Sequence, residues 1–545
     1  MSNVADDHMS FDWDAGYSSV RSPVFARNVV STSHPQAAQV GLSLLQRGGN
    51  AVDAAIGAAA AMTIVEPCSN GLGSDAFCIL WDGKQLHGLN ASGPSPAAWT
   101  LGYFRRKYGD GPQQPPMRGW DSVTVPGAVA GWVQLSKRFG KLPFGELLAP
   151  AIEIAERGYA VPVVVQQKWA AAVAPLEEVP GFAATFLPNG RAPRVGERFV
   201  FPEAARALRA IADTHGAALY GGEIAAAAAA HAARHGGAMR VTDFEAFSPE
   251  WVEPVGIEAY GYQLHQIPPN GQGIAALIAL GILQHVDVAA HPVDSAACQH
   301  LQIEAMKLGF ADTYAHVADP NAMRLSVEQM LDPAYLKKRA MLIDPKRAQV
   351  FGEGHMSKGG TIYLTAADER GMMVSFIQSN YMGFGSGVVV PGWGLSLQNR
   401  GHAFSLDPAS PNCVAPRKRP FHTIIPGFLT RNGLPQMSFG VMGANMQPQG
   451  HLQTLVRMLV HRQQPQAACD APRWRFNQGL SINVEAAMPS ATTRELLAYG
   501  HQIDVIQDSY QDFGAGQFIW RLGKPAVEGY VAASDPRRDG QAVGF

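Results

Sequence analysis

In the first two-thirds of the chain apolar residues recur every three or four positions; beyond residue 360 they mostly alternate with polar ones. Helical spacing runs over residues 34–46 and stops at Arg47-Gly48-Gly49, a glycine-rich helix end. The pattern predicts an alanine-rich helix over residues 50–65 and further helices over 127–139, 144–157, 222–235, 274–283 and 297–315. The last of these carries Glu304, Lys307 and Asp312 on its polar side. Strands are predicted over 76–81, after a glycine-rich turn at 69–75, and over 257–266. Past residue 360 they follow at 373–378, 421–428 and 436–441, and a turn at 443–449 leads into a helix over 451–460. Helices gather early and strands late, so the two segments are expected to share sheets in one α+β fold.

A chain of 545 residues can bury a core large enough for two lobes or one large layered domain. The net charge of −2 and the pI of about 6.8, with no clustered Lys/Arg, give nucleic acid or an anionic membrane nothing to bind. Cys68, Cys78, Cys298, Cys413 and Cys469 are scattered without CxxC spacing, as reduced thiols would be. The first thirteen residues carry three aspartates and no lysine or arginine, unlike a signal peptide, and the apolar run 51–65 is too short to span a bilayer. A soluble, cytoplasmic protein is the expectation. The turn at 69–75 leads into a strand where a nucleotide-binding loop needs a helix. His231 and His235 share a helix face but lack a third ligand, so they are expected to be solvated and no metal site is assigned.

Residues 344–360 lose all periodicity and gain Gly, Lys and Ser, the composition of an exposed, cuttable linker. It ends in Lys358-Gly359-Gly360-Thr361-Ile362-Tyr363-Leu364, a glycine pair before an apolar strand. Such a pair is ordinary turn punctuation. It has a second meaning if the chain is cut after Gly360. The freed α-amino group of Thr361, with a reference pKa of about 8, can then take the proton from its own hydroxyl.

Several separated stretches give that meaning weight. They are His34-Pro35, Gly48 through Ala55, Pro268-Pro269-Asn270-Gly271-Gln272-Gly273, Lys418-Arg419-Pro420 and Ala533-Ser534-Asp535-Pro536-Arg537. In this order and spacing the chain, from about His34 to Phe545, resembles the γ-glutamyltransferase family of N-terminal-nucleophile hydrolases. The resemblance implies a four-layer αββα sandwich made by a proenzyme that cuts itself. Here the pieces are residues 1–360, a helix-rich large subunit with a loose arm at 1–20, and residues 361–545, a small subunit that begins at the nucleophile. It further implies Gly360 and Thr361 as the cleavage site, Thr361 as nucleophile and its own general base, and Ser379 as a supporting hydroxyl. The backbone N–H groups of Gly443 and Ala444 become the oxyanion donors, and no cofactor or metal is required.

Departures from the family pattern bear on substrate. Where γ-glutamyl-binding members have an arginine for the α-carboxylate, this chain has Ser92. Their residues for the α-amino group align with Tyr381, Arg400 and Ala403, and a Ser-Ser pair aligns with His422-Thr423. Arg400 repels an ammonium but suits a carboxylate. The short stretch after Asp407 leaves little chain for a lid, so an open pocket is expected. The pattern is closest to the glutathione hydrolase-like and oxamate amidohydrolase branch. It implies hydrolysis of a small amide through an acyl-enzyme, with Arg400, Tyr381, His422, Thr423 and Ser92 around the substrate. The alternatives are a true γ-glutamyltransferase or glutathione hydrolase, and a homologue that never matures and only binds. The partners implied are the small-molecule amide and the protein's own two fragments, with homo-oligomers of processed heterodimers allowed.

Overall fold

The computed structural model describes residues 21–351, 360–507 and 512–545. The arm at 1–20 and Lys358-Gly359 lie outside these residues. Two seven-stranded sheets form the centre. In spatial order one contains Gln541–Gly544, Val29–Thr32, Gly360–Ala367, Met373–Tyr381, Asp75–Trp81, Leu86–Ala91 and Glu250–Val252. The other contains Val24–Ala26, Tyr530–Ser534, Ala515–Arg521, Leu434–Met442, Gly427–Arg431, Tyr262–Gln266 and Val255–Ala259. Both sheets therefore mix strands from before and after Gly360, as the distribution of helices and strands anticipates.

Side-chain alternation along each strand builds the layers. On the strand Gly360–Ala367, Ile362, Leu364 and Ala366 pack under a helical layer that includes Pro35–Gln46, Ala51–Val65 and Phe144–Arg157. Tyr363 and Ala367 point the other way, into an inter-sheet core with Phe77, Ile377, Phe428, Met442 and Ile519. A second helical layer, built on Gly273–Leu283 and Ala296–His316, covers the far sheet. The result is the four-layer αββα sandwich. Helix Ala51–Val65 is buried on every side and starts at a capping box, in which Asn50 and Asp53 each accept the other's backbone N–H at 3.0 Å. Its glycine lets a neighbouring helix approach, since a Cβ on Gly57 would lie 2.2 Å from Leu44 Cδ1.

Four expectations need correction. The strand predicted over 257–266 is a hairpin, Val255–Ala259 and Tyr262–Gln266, turned by Tyr260 and Gly261 at positive φ. In the stretch predicted as a strand over 421–428, only Gly427 and Phe428 belong to a strand, Gly427–Arg431; before them His422 makes an isolated bridge with Gly271 at the site described below. Glu304 and Lys307 do not face solvent: they are buried and paired with each other at 2.7 Å. His231 is buried rather than solvated and accepts the indole N–H of Trp120 at 3.2 Å. Among the described residues no helix is long and apolar enough to cross a membrane.

Candidate active site

Three neighbouring strands bring the chemistry together. By alternation Thr361 lies on the same face as Tyr363 and Thr365, towards the second sheet. There the Thr365 and Ser438 hydroxyls meet at 2.6 Å, and a Cβ on Gly440 would touch the Tyr363 ring. On the adjoining strand Ser379 pairs in register with Asp75, and Gly360 pairs with Tyr381. Register slips between Gly360 and Ile362, so Thr361 sits at a bulge, a common device for re-aiming a side chain.

Thr361 Oγ1 lies 3.1 Å from Ser379 Oγ, and both side chains are buried. The Ser379 hydroxyl donates to the Gly360 carbonyl oxygen at 2.8 Å and accepts the Tyr381 N–H at 2.8 Å. Its single proton is thereby committed, so in this arrangement the Thr361 hydroxyl is the donor between them. Gly443 (φ 122°) and Ala444 (φ 50°) follow the strand Leu434–Met442 in an unusual turn. Among the described residues neither of their N–H groups donates to a protein acceptor, while the Ala444 carbonyl accepts from Gln272 at 3.0 Å. Unengaged successive amides in a tight turn suit a developing oxyanion.

Arg400 is fully buried. Its Nη1 donates to Thr423 Oγ1 at 2.7 Å and its guanidinium lies 4.6 Å over the Tyr381 ring, but Nε and Nη2 have no acceptor among the described residues. Burial lowers its pKa to about 10, which still leaves it charged at neutral pH. His422 Nδ1 accepts the Ile424 N–H, so its proton rests on Nε2 and is donated to Asp75 Oδ2 at 3.1 Å. Burial, reinforced by Arg400, keeps this imidazole neutral. Asp75 Oδ1 accepts the N–H groups of Gly93 and Gly127. Burial pushes the Asp75 carboxyl up to about 7, against the pull of Arg400.

The residues singled out from the sequence thus meet in one place. Ser92 has its hydroxyl committed to Asn90 at 2.7 Å and joins His422 through Asn270, whose carbonyl accepts the His422 N–H. Its neighbour Gly93 is one of the residues that donate to Asp75. Among the described residues Thr361, Tyr381, Arg400 and His422 are all buried, whereas the sequence leads one to expect an open pocket around them. Sequence reasoning missed Asp75, Asn270 and Gln272 as site residues, although it quoted the stretches that contain them. Two-residue alternation counted back from Phe77, Ile79 and Trp81 would have turned Asp75 inward.

Elsewhere, His300, Glu304 and His501 lie close enough to suggest metal ligands. The Lys307 ammonium already supplies the positive charge there, and the Gln349 N–H occupies the second Glu304 oxygen at 3.1 Å.

Comparison with known proteins places this geometry. The family model for gamma-glutamyltranspeptidase matches residues 37–545. The glutathione hydrolase-like YwrD proenzyme of Bacillus subtilis is 34% identical over 96% of this chain and all of its own length. The oxamate amidohydrolase proenzyme of Klebsiella pneumoniae is 35% identical over 96% of this chain and 99% of its own. Among solved structures, the cephalosporin acylase from Bacillus halodurans superposes with a TM-score of 0.92 at 45% identity, covering 99% of both chains.

Proposed function

Since the chain belongs to the gamma-glutamyltranspeptidase family of self-cleaving amidohydrolases, we propose that it cuts itself between Gly360 and Thr361. Mature, it hydrolyses a small amide that carries a carboxylate on its acyl side. In the mature enzyme Thr361 Oγ1 attacks the amide carbonyl while the new α-amine takes its proton. The N–H groups of Gly443 and Ala444 stabilise the tetrahedral oxyanion. The amine returns the proton to the leaving nitrogen, and water, activated by the same amine, opens the ester.

The observation that carries the substrate class is Arg400. A buried guanidinium with one hydrogen bond and two nitrogens lacking acceptors among the described residues is costly unless a ligand completes it, and a planar carboxylate fits its fork. The relatives named as oxamate amidohydrolase and glutathione hydrolase-like proenzymes fit the same reading.

Hydrolysis of oxamate and of a γ-glutamyl anilide by wild type and Arg400→Ala tests it. The expectation is loss of oxamate turnover by about 10²-fold or more in the variant, the scale of an unpaired charged contact. Strong γ-glutamyl turnover that survives loss of Arg400, with transfer to glycylglycine, would instead identify a γ-glutamyltransferase.

A further inference from the structure

Gln272 stands between two parts of the site that come from separate stretches of the chain. It is fully buried at the head of helix Gly273–Leu283, every residue of which is buried as well. Its backbone is held on one side by the segment that follows Pro420: the His422 N–H donates to the Asn270 carbonyl at 2.9 Å, and the Gln272 N–H donates to the His422 carbonyl at 2.8 Å. On the other side a Cβ on Gly273 would lie 2.8 Å from the Gln266 Cβ, so the helix start is packed tightly against the strand Tyr262–Gln266.

From this fixed base the side chain commits both of its amide hydrogens. Nε2 donates to the Thr423 carbonyl at 2.6 Å and to the Ala444 carbonyl at 3.0 Å, and Oε1 accepts from Asn445 Nδ2 at 3.2 Å. Only the nitrogen can serve two carbonyls, which settles the orientation of the amide. Thr423 is the residue whose hydroxyl accepts from Arg400 at 2.7 Å. Ala444 carries one of the two oxyanion amides at φ 50°, a backbone region that a residue with a side chain keeps only where its surroundings hold it. One planar group thus joins the residue that holds Arg400 to the oxyanion turn.

We propose that Gln272 is a positioning residue that fixes the spacing between the Arg400 guanidinium and the oxyanion amides. It thereby sets how many atoms the enzyme accepts between a substrate's carboxylate and its scissile carbonyl; this rests on the Arg400 reading above.

Other bonds give the turn its shape. The Gly443 and Ala444 carbonyls accept the N–H groups of Met446 and Gln447 at 2.9 and 3.2 Å, where the helix Met446–Leu455 starts. Gln447 Oε1 accepts the Ile425 N–H at 2.9 Å, a tie farther along both segments. Without the Gln272 amide the turn keeps these bonds but is free to drift relative to Thr423. A displacement of about 1 Å can cost on the order of 10²-fold in rate, and the loss is greatest for a substrate that must meet Arg400 and the oxyanion donors at once.

The test uses the mature enzyme with oxamate, malonamate and succinamate, which differ by successive methylenes between carboxylate and amide carbonyl. Wild type should favour one of the three by about tenfold or more in kcat/KM. Gln272→Met, similar in length but unable to donate, should lose about 10²-fold in kcat on that amide with KM little changed. Its preference among the three should shrink to about threefold or less. Gln272→Asn keeps an amide too short to reach both carbonyls and should shift the same way; it carries the test if Gln272→Met yields no two fragments on a denaturing gel. Equal losses on all three amides, with the wild-type preference intact, overturn the assignment. So do full-speed turnover by the variants, failure of both to mature, and a wild type indifferent to chain length. If wild type hydrolyses none of the three, the Arg400 reading fails and the role of Gln272 falls with it.

Discussion

The Ser379 hydroxyl donates to the carbonyl oxygen of Gly360, the oxygen on which negative charge develops when Thr361 attacks. The same serine touches the nucleophile and the bond to be broken. Ser379→Ala should therefore slow the appearance of the two fragments by about 10²–10³-fold, as loss of an oxyanion donor does. The readout is a time course on a denaturing gel, with circular dichroism to confirm an unchanged fold.

Asp75 predicts a pH dependence in substrate binding. Its carboxyl ionises near 7, so below that pH it is neutral and leaves the Arg400 charge uncompensated. KM for a carboxylate-bearing amide should be lowest below pH 7 and rise above it, and Asp75→Asn should flatten the curve. The ionisation also acts on stability. A carboxyl whose folded pKa is raised contributes most below its unfolded value, about 4, and loses that contribution as pH climbs through about 7. Tm should fall across that window in wild type and fall less in Asp75→Asn.

Gly443→Ala tests the oxyanion turn. At φ 122° a side chain is strained, and its Cβ would lie 3.0 Å from the Gly514 Cα. The turn has to shift, taking the two amides with it, so kcat of the mature enzyme should drop by about 10²-fold or more while KM changes little.

The Glu304–Lys307 pair predicts a stability effect away from the site. Both are buried, and Lys307 also donates to the Gln349 carbonyl at 3.0 Å. Removing either partner alone strands a buried charge, at a cost of about 3–5 kcal/mol in chemical denaturation. Replacing both, as Glu304→Leu with Lys307→Met, should cost clearly less than the two single losses summed.

Much of this was readable in the chain because local signals agreed with the final packing. Asn50 and Asp53 mark the start of a helix that ends where the pattern predicts, and the alternation after Gly360 is a strand between two cores. The failures have distinct causes. The Tyr260-Gly261 reversal hides inside an otherwise strand-like run, and tertiary hydrogen bonds hold Phe421 to Ile425 outside both large sheets, with a single bridge from His422 to Gly271. Charged residues in helix Ala296–His316 look solvent-facing until a partner one turn away is buried with them. Asp75 stayed hidden for a different reason: a lone carboxylate after a glycine-rich turn carries no motif, and its importance comes from Arg400 and His422, more than three hundred residues away in sequence.

The strand that begins at Gly360 lies between Val29–Thr32 and Met373–Tyr381, so it is stitched on both edges into a sheet laid down by both halves. A break at that strand's head leaves every other thread of the weave intact. The two pieces then have no surface along which to part without unravelling the whole fabric. They should melt as one body, and fragments made separately should fail to reassemble, because the severed molecule keeps a shape that only the unbroken one could reach.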